Sequence, residues 1–302
     1  MAAQQSLRHA SGRAAEITAL LGAVSDPELD EPVTELGFVT SVAVGEEGAV
    51  EIGFRLPTYW CAANFAYLMA EDMRAAAGSL PWVRSVRVVL DEHMYAETVN
   101  RGMAGGLSFQ DAFGAEADGD LAALRRTFAV KAFQRRQLAL IEHLLQAGHT
   151  AAALLALDIA ALRRLDVGAA GARLRARYLE KRPIVGPADG SDAAFVGPDG
   201  AAIAVHELAA HLRACRRVAV NAEFNGALCR GLLVERYGED SCRNAGMIEV
   251  GAHGDGVMAD GRAPTLRDFL MAAAREEKLA AARQRPGAGA SAGAPAAAPV
   301  GG

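Results

Sequence analysis

Residues 50–73 read VEIGFRLPTYWCAANFAYLMAEDM, and the rhythm of their apolar residues changes at Cys61. Before it, Val50, Ile52, Phe54 and Leu56 alternate with Glu51, Gly53 and Arg55, the period of a strand with one buried face. After it, Phe65, Leu68, Met69, Met73 and Ala76 follow helical spacing up to Gly78, a residue suited to ending a helix. The stretch predicts a strand that feeds a helix, with a cysteine at the junction.

The flanks extend this unit. Upstream, SGRAAEITALLGAV (residues 11–24) has Ile17, Leu20, Leu21 and Val24 on one helical face. Asp26 followed by Pro27 has the form of a helix cap with proline in the first helical position, opening a short turn. Leu36 to Val44 reads as a strand and Gly45-Glu-Glu-Gly48 as a tight turn into the strand at Val50. Downstream, Val83 to Leu90 reads as a third strand. Helix, hairpin, helix and strand in succession predict a small α+β domain over residues 12–96.

The rest of the chain predicts helices. Residues 97–149 read as a helical connector, whose long piece from Asp120 to Leu145 aligns Val130, Phe133, Leu140, Ile141 and Leu144 with Gln137 in their midst. Arg125, Arg126, Lys131, Arg135 and Arg136 make that helix basic; a solvated face is the plainer reading, a docking surface for an acidic partner the alternative. Residues 150–284 read as a mainly α-helical domain with a small β element. Within it Pro183 to Gly200 is a loop or weak hairpin, Arg217 to Val234 a short strand running into a helix, and Leu266 to Arg283 a charged helix. Residues 285–302 are low in complexity, rich in Ala, Gly and Pro, and predict a disordered tail.

Composition narrows the function. The 302 residues are 51% hydrophobic and carry a net charge of −5, so a nucleic-acid backbone meets no overall positive field and is not an expected partner. The best apolar run, Ala151 to Leu162, is too short for a membrane span and contains Asp158. The first residues carry no apolar signal region, which leaves a cytoplasmic location as the expectation. Cys61, Cys215, Cys229 and Cys242 form no C-x-x-C pair, so thiol chemistry, metal ligation or simple burial is expected of them rather than a disulfide framework.

Cys61 has the strongest claim on chemistry. A helix N-terminus favours negative charge, so a thiol there is expected to lose its proton more readily than a free one, as a soft metal ligand or a nucleophile. A strand, helix, strand crossover makes its two strands parallel and brings their carboxyl ends to one edge. Cys61 and the segment Asp91-Glu92-His93 then share that edge with the loop Ser25 to Glu35, which gathers a thiol, an imidazole and carboxylates. Cys61, His93 and Glu92 are candidate ligands for iron or zinc, with Glu97 able to join His93 if that stretch is helical. The plainer alternative is an exposed strand-end histidine among ordinary loop acids.

Asp26-Pro-Glu-Leu29, Glu35-Leu-Gly-Phe-Val39, Thr58-Tyr-Trp-Cys61 and Leu80-Pro-Trp-Val-Arg-Ser-Val-Arg-Val88, in this order around the hairpin, resemble the MIP18 family of iron–sulfur assembly proteins over residues 12–92. Ala62 stands where that family often has proline. The resemblance implies a non-enzymatic role in iron–sulfur cluster assembly or metalloenzyme maturation, with Cys61 as the reactive cysteine, Asp26 as the motif acid and Thr58 beside them in handling the cofactor. Iron or an iron–sulfur cluster, held transiently, is the implied cofactor. A client metalloenzyme or other assembly factors are the implied partners, with a homodimer as a further expectation. One branch of the family is associated with a multicomponent diiron monooxygenase, and HMYAETVNRGMAGGLSFQDAF and NAEFNGALCRG are similar to segments of proteins from bacterial diiron monooxygenase clusters.

Two rivals stand beside this reading: a thiol enzyme with Cys61 as nucleophile, and a metal-free interaction scaffold. In NAEFNGALCRG, Asn221 reads as a helix cap, with Asn225 and Cys229 four apart on one face. That face either orients a partner segment or contributes a core thiol. Cys215, Cys229 and Cys242 are too widely spaced for a zinc module.

Overall fold

In the computed structural model, which describes residues 2–238 apart from Asp118, the alternating segment becomes the middle strand of a three-stranded sheet. The strands are β1 (Val39–Val44), β2 (Ala49–Phe54) and β3 (Ser85–Leu90), in the order β1-β2-β3. β1 pairs antiparallel with β2, from Val39 opposite Phe54 to Val44 opposite Val50. β3 runs parallel to β2, from Ala49 opposite Ser85 to Phe54 opposite Leu90. The parallel pairing requires a crossover, which α2 (Ala63–Gly78) supplies, while α1 (Ala2–Leu21) precedes the hairpin. The hairpin turn holds Gly48 at φ 85, and a side chain there would strike the Trp82 carbonyl.

Val50, Ile52, Phe54, Val88 and Leu90 are buried against Ile17, Leu21, Tyr67, Met69 and Met73, as the two periods require. Full burial of one such side chain is worth about 1.5–3 kcal/mol, so the sheet face and the two helix stripes define one core. Helices α3 (Ala96–Gly105) and α4 (Phe109–Phe113) close its end. Val99, Met103, Phe109 and Phe113 are buried there.

A second core belongs to helices. α5 (Leu121–Gln146), α6 (Ala151–Leu155), α7 (Ile159–Arg164), α8 (Gly168–Lys181) and the first half of α9 (Leu208–Tyr237) surround Phe133, Leu140, Ile141, Leu144, Tyr178 and Phe195. Asp120 caps α5 by accepting from the Ala122 N–H. The stretch from Pro183 to Gly200 holds isolated antiparallel bridges, Asp158 with Ala193 and Val196 with Ala202, in place of regular strands.

Two expectations are corrected. The strand expected at the start of Arg217 to Val234 is the interior of the 30-residue helix α9, and Asn221 lies within that helix instead of capping it. The β-branched Val218 and Val220 carry only a weak preference, which a helix anchored through Leu212 and Cys215 in one core and Leu233 in the other overrides. The expected helix from Leu266 to Arg283, the tail 285–302 and Cys242 lie outside the described residues. Among the described residues no helix is long and apolar enough to cross a membrane.

Candidate metal-handling site around Cys61

The end of β2 and the end of β3 meet at one edge, and Cys61 sits there. α2 starts at Ala63 with Ala62 as its N-cap, so Cys61 lies one residue ahead of the cap. Its sulfur is 3.0 Å from Thr58 Oγ1, an atom able to donate to sulfur or to accept from it. Cys61 is half-buried, while its neighbours Tyr59 and Trp60 are 52% and 72% exposed. The thiol therefore follows directly, along the chain, on two aromatic side chains that face outward.

His93 fixes the segment from behind. Its side chain is 5% exposed; Nδ1 accepts from the Tyr95 N–H at 3.1 Å, so Nε2 bears the ring proton and donates it to the Cys61 carbonyl at 2.7 Å. Both ring nitrogens are occupied. Burial holds the imidazole below its ordinary pKa, opposed by the bond to the Cys61 carbonyl and aided by the charge of Arg236. The strand end that carries His93 is itself tied down, since Asn100 of α3 accepts from Leu90 N–H at 2.8 Å and donates to Leu90 O at 3.0 Å. Met94 N–H donates to the Tyr59 carbonyl at 2.9 Å, which closes the two loops on each other.

Cys61, His93 and Glu92 do not form the expected three-ligand set. Glu92 turns to Arg236, 3.2 Å away, and Glu97 is exposed in the first turn of α3. Among the described residues no group of three or more His, Cys, Asp or Glu side chains converges to hold a metal ion. The physical reason is that the imidazole is used up in positioning the cysteine's backbone, and its neighbouring acid in an ion pair.

Asp26 caps its turn as the Asp-Pro pair predicts: Oδ1 accepts from Glu28 N–H at 2.9 Å and Leu29 N–H at 2.8 Å. It is only 7% exposed, and burial raises its pKa to about 6, against the two backbone bonds and with help from the charges of Glu28 and Glu31.

This acidic loop is gripped from two sides by residues whose role the sequence pattern conceals. From α5, Arg135 donates to the Glu28 and Leu29 carbonyls, and Arg136 makes a two-bond pair with Asp30 at 2.7 and 2.8 Å. These two arginines leave the expected solvated face. From α9, Asn225 donates to Glu28 at 2.9 Å and Arg230 to Glu31 at 2.8 Å. Leu233 is buried in the first core, with Cys229 and Tyr237 packed against it. Cys229, half-buried, has its pKa raised to about 12 by burial first and then by the charges of Asp26, Cys61 and Glu28. The pairing of Asn225 with Cys229 on one face was the signal that pointed there.

Residues 14–89, which hold this sheet, its crossover and Cys61, match the family described as iron-sulfur cluster assembly protein, in agreement with the resemblance to the MIP18 family. The chain is also similar to the iron-sulfur cluster carrier proteins of Mycobacterium bovis and Mycobacterium tuberculosis, at 38% identity over 77 residues, 26% of this chain and 20% of theirs. The chain thus spans about a fifth of the length of these curated relatives. No solved structure matches it significantly.

Proposed function

We propose that this protein is a non-enzymatic assembly factor that takes up iron or an iron–sulfur unit as cargo through Cys61 and passes it to a client protein. One observation carries the reading: within a segment that matches the assembly family, Cys61 lies half-buried at the sheet edge beside the Thr58 hydroxyl, next in the chain to the exposed Tyr59 and Trp60. A soft thiolate suits iron, and an outward aromatic rim suits a partner surface to which cargo is handed. His93 serves as a positioning residue, holding the Cys61 carbonyl, and Thr58 adapts to sulfur with or without its proton. The client is a metalloenzyme, and a diiron monooxygenase is the class toward which the similarity of the connector and α9 segments points.

The thiol-enzyme alternative needs a base on the sulfur, whereas the imidazole nearest Cys61 is committed to a carbonyl and to Tyr95.

Anaerobic incubation with ferrous iron and sulfide, followed by gel filtration and assay of bound iron and acid-labile sulfide, tests the reading. Cys61→Ser is expected to lower uptake about tenfold or more, with the far-ultraviolet spectrum unchanged. Equal uptake by wild type and Cys61→Ser would overturn it.

A further inference from the structure

Cys229 stands where the assembly domain alone has no second thiol. Asn225, Cys229 and Leu233 recur every four residues along α9 and share one face. Asn225 at one end of that face bonds Glu28 of the Asp26 loop. Leu233 at the other end is buried in the core of the sheet domain, against which both Cys61 and Cys229 pack. Arg236, a turn further on, donates to the Leu56 and Glu92 carbonyls at the two strand ends that flank Cys61 and His93. α9 is thereby stitched across the sheet edge at both sides of Cys229. Cys229 lies between these anchor points, on the helix face that Asn225 and Leu233 turn to the sheet domain.

We propose that Cys61 and Cys229 form a two-thiolate site for a soft divalent cation, one ligand from the sheet domain and one from α9. The site rests on the reading of Cys61 as the cargo thiol and deepens it. Two thiolates leave the remaining coordination positions to exchangeable ligands, which suits a cation held for transfer more than one enclosed by four protein ligands. Binding replaces both thiol protons, releasing them to solvent as the two metal–sulfur bonds form. Cys229 also explains what α9 adds to the domain: a chelate partner delivered by a helix anchored at Glu28, Glu31 and Glu92.

The test uses the full-length protein and cobalt(II) alone as the probe, because cobalt–thiolate charge-transfer absorption reports the number of sulfurs bound. Wild type is expected to show a two-thiolate spectrum, and Cys229→Ser about half that intensity with about tenfold or more weaker binding. In metal-free wild type, dibromobimane, a short thiol-bridging reagent, is expected to link Cys61 to Cys229, as peptide mapping would show. That second measurement involves no variant and so does not depend on how well Cys229→Ser folds. Absence of the bridged peptide, failure of wild type to bind cobalt, or a wild-type spectrum and affinity in Cys229→Ser would each overturn the two-thiol site. If Cys229→Ser matches wild type while Cys61→Ser loses iron and sulfide, only the second thiol falls; if Cys61→Ser retains them, the cargo reading falls.

Discussion

Both halves of the molecule set a cysteine beside a histidine, and they do so in opposite senses. In the sheet domain, the His93 imidazole holds the cysteine's carbonyl, and the half-buried sulfur turns to the Thr58 hydroxyl, with exposed aromatics just before it in the chain. In the helical half, the sulfur of Cys215 lies 3.5 Å from His211 Nε2 but is 0% exposed. That nitrogen is also 2.6 Å from Gln137 Oε1, which can only accept, so Nε2 carries a proton and is no base for the thiol. Gln137 in turn donates to Val196 O and to the Tyr178 hydroxyl, which donates to Ala194 O. Burial raises the Cys215 pKa to about 11. The difference teaches that a Cys–His pair has no meaning until the imidazole's other bonds and the path to the sulfur are known: one pair presents a thiol, the other fills a core.

The largest expected effect breaks the joint between the two halves. Arg136 is buried with Asp30 at the loop that α5 grips. Arg136→Met leaves that carboxylate without its main partner and should cost about 3–5 kcal/mol in urea unfolding. It should also separate the unfolding of the sheet domain, followed through Trp60 and Trp82, from that of the helical half, followed by circular dichroism. A loss within experimental error would show that the two cores do not depend on this pair.

Next in size is the response to pH of the sheet domain's own buried acid. Asp26 titrates at about 6 in the folded protein against 3.8 as its ordinary value. The folded state thus holds the proton more tightly, and stability falls as pH rises through that window, by about 3 kcal/mol at most. Asp26→Asn keeps a capping oxygen and removes the charge. It should flatten that slope and be the more stable protein near about pH 7, with little difference near about pH 4. His93, held below its ordinary value, contributes with the opposite sign, losing stability as pH falls, and cancels when the two proteins are subtracted. An unchanged slope in Asp26→Asn would refute the assignment.

The smallest effects sharpen the contrast between the two thiols. Cys215→Ser buries a hydroxyl in an apolar core and should cost about 1–3 kcal/mol, whereas Cys61→Ser should stay within about 0.5 kcal/mol. Iodoacetamide should label Cys61 in the native protein and Cys215 only after unfolding. Equal labelling rates would erase the distinction.

Much of the sheet domain was legible because its signals are local. The alternation to Leu56, the change of period after Cys61 and the Asp26-Pro27 cap each depend on residues a few positions apart, and the parallel partner strand follows from the handed crossover that α2 makes. Less of the candidate site was legible. His93 does come to the Cys61 edge, yet nothing in its spacing reveals that its two nitrogens are spent on Cys61 O and Tyr95 N. The basic residues of α5 form a pattern that a solvated face also satisfies, and only two of them, Arg135 and Arg136, turn inward to the Asp26 loop. The Val218 and Val220 segment was misread because β-branched residues bias a short stretch toward strand, while the helix that absorbs them is stabilised at both ends by different cores.

By itself, then, the order of residues determined the three strands, their intervening helix and the position of a thiol at their edge, since backbone period and capping act over single turns. Only the folded chain decided what surrounds that thiol. The contacts from Arg136 to Asp30, from Asn225 to Glu28 and from Arg236 to Glu92 join residues 106, 197 and 144 positions apart. At such separations pairing is selected by the packing of whole helices against whole cores, and no local pattern encodes it.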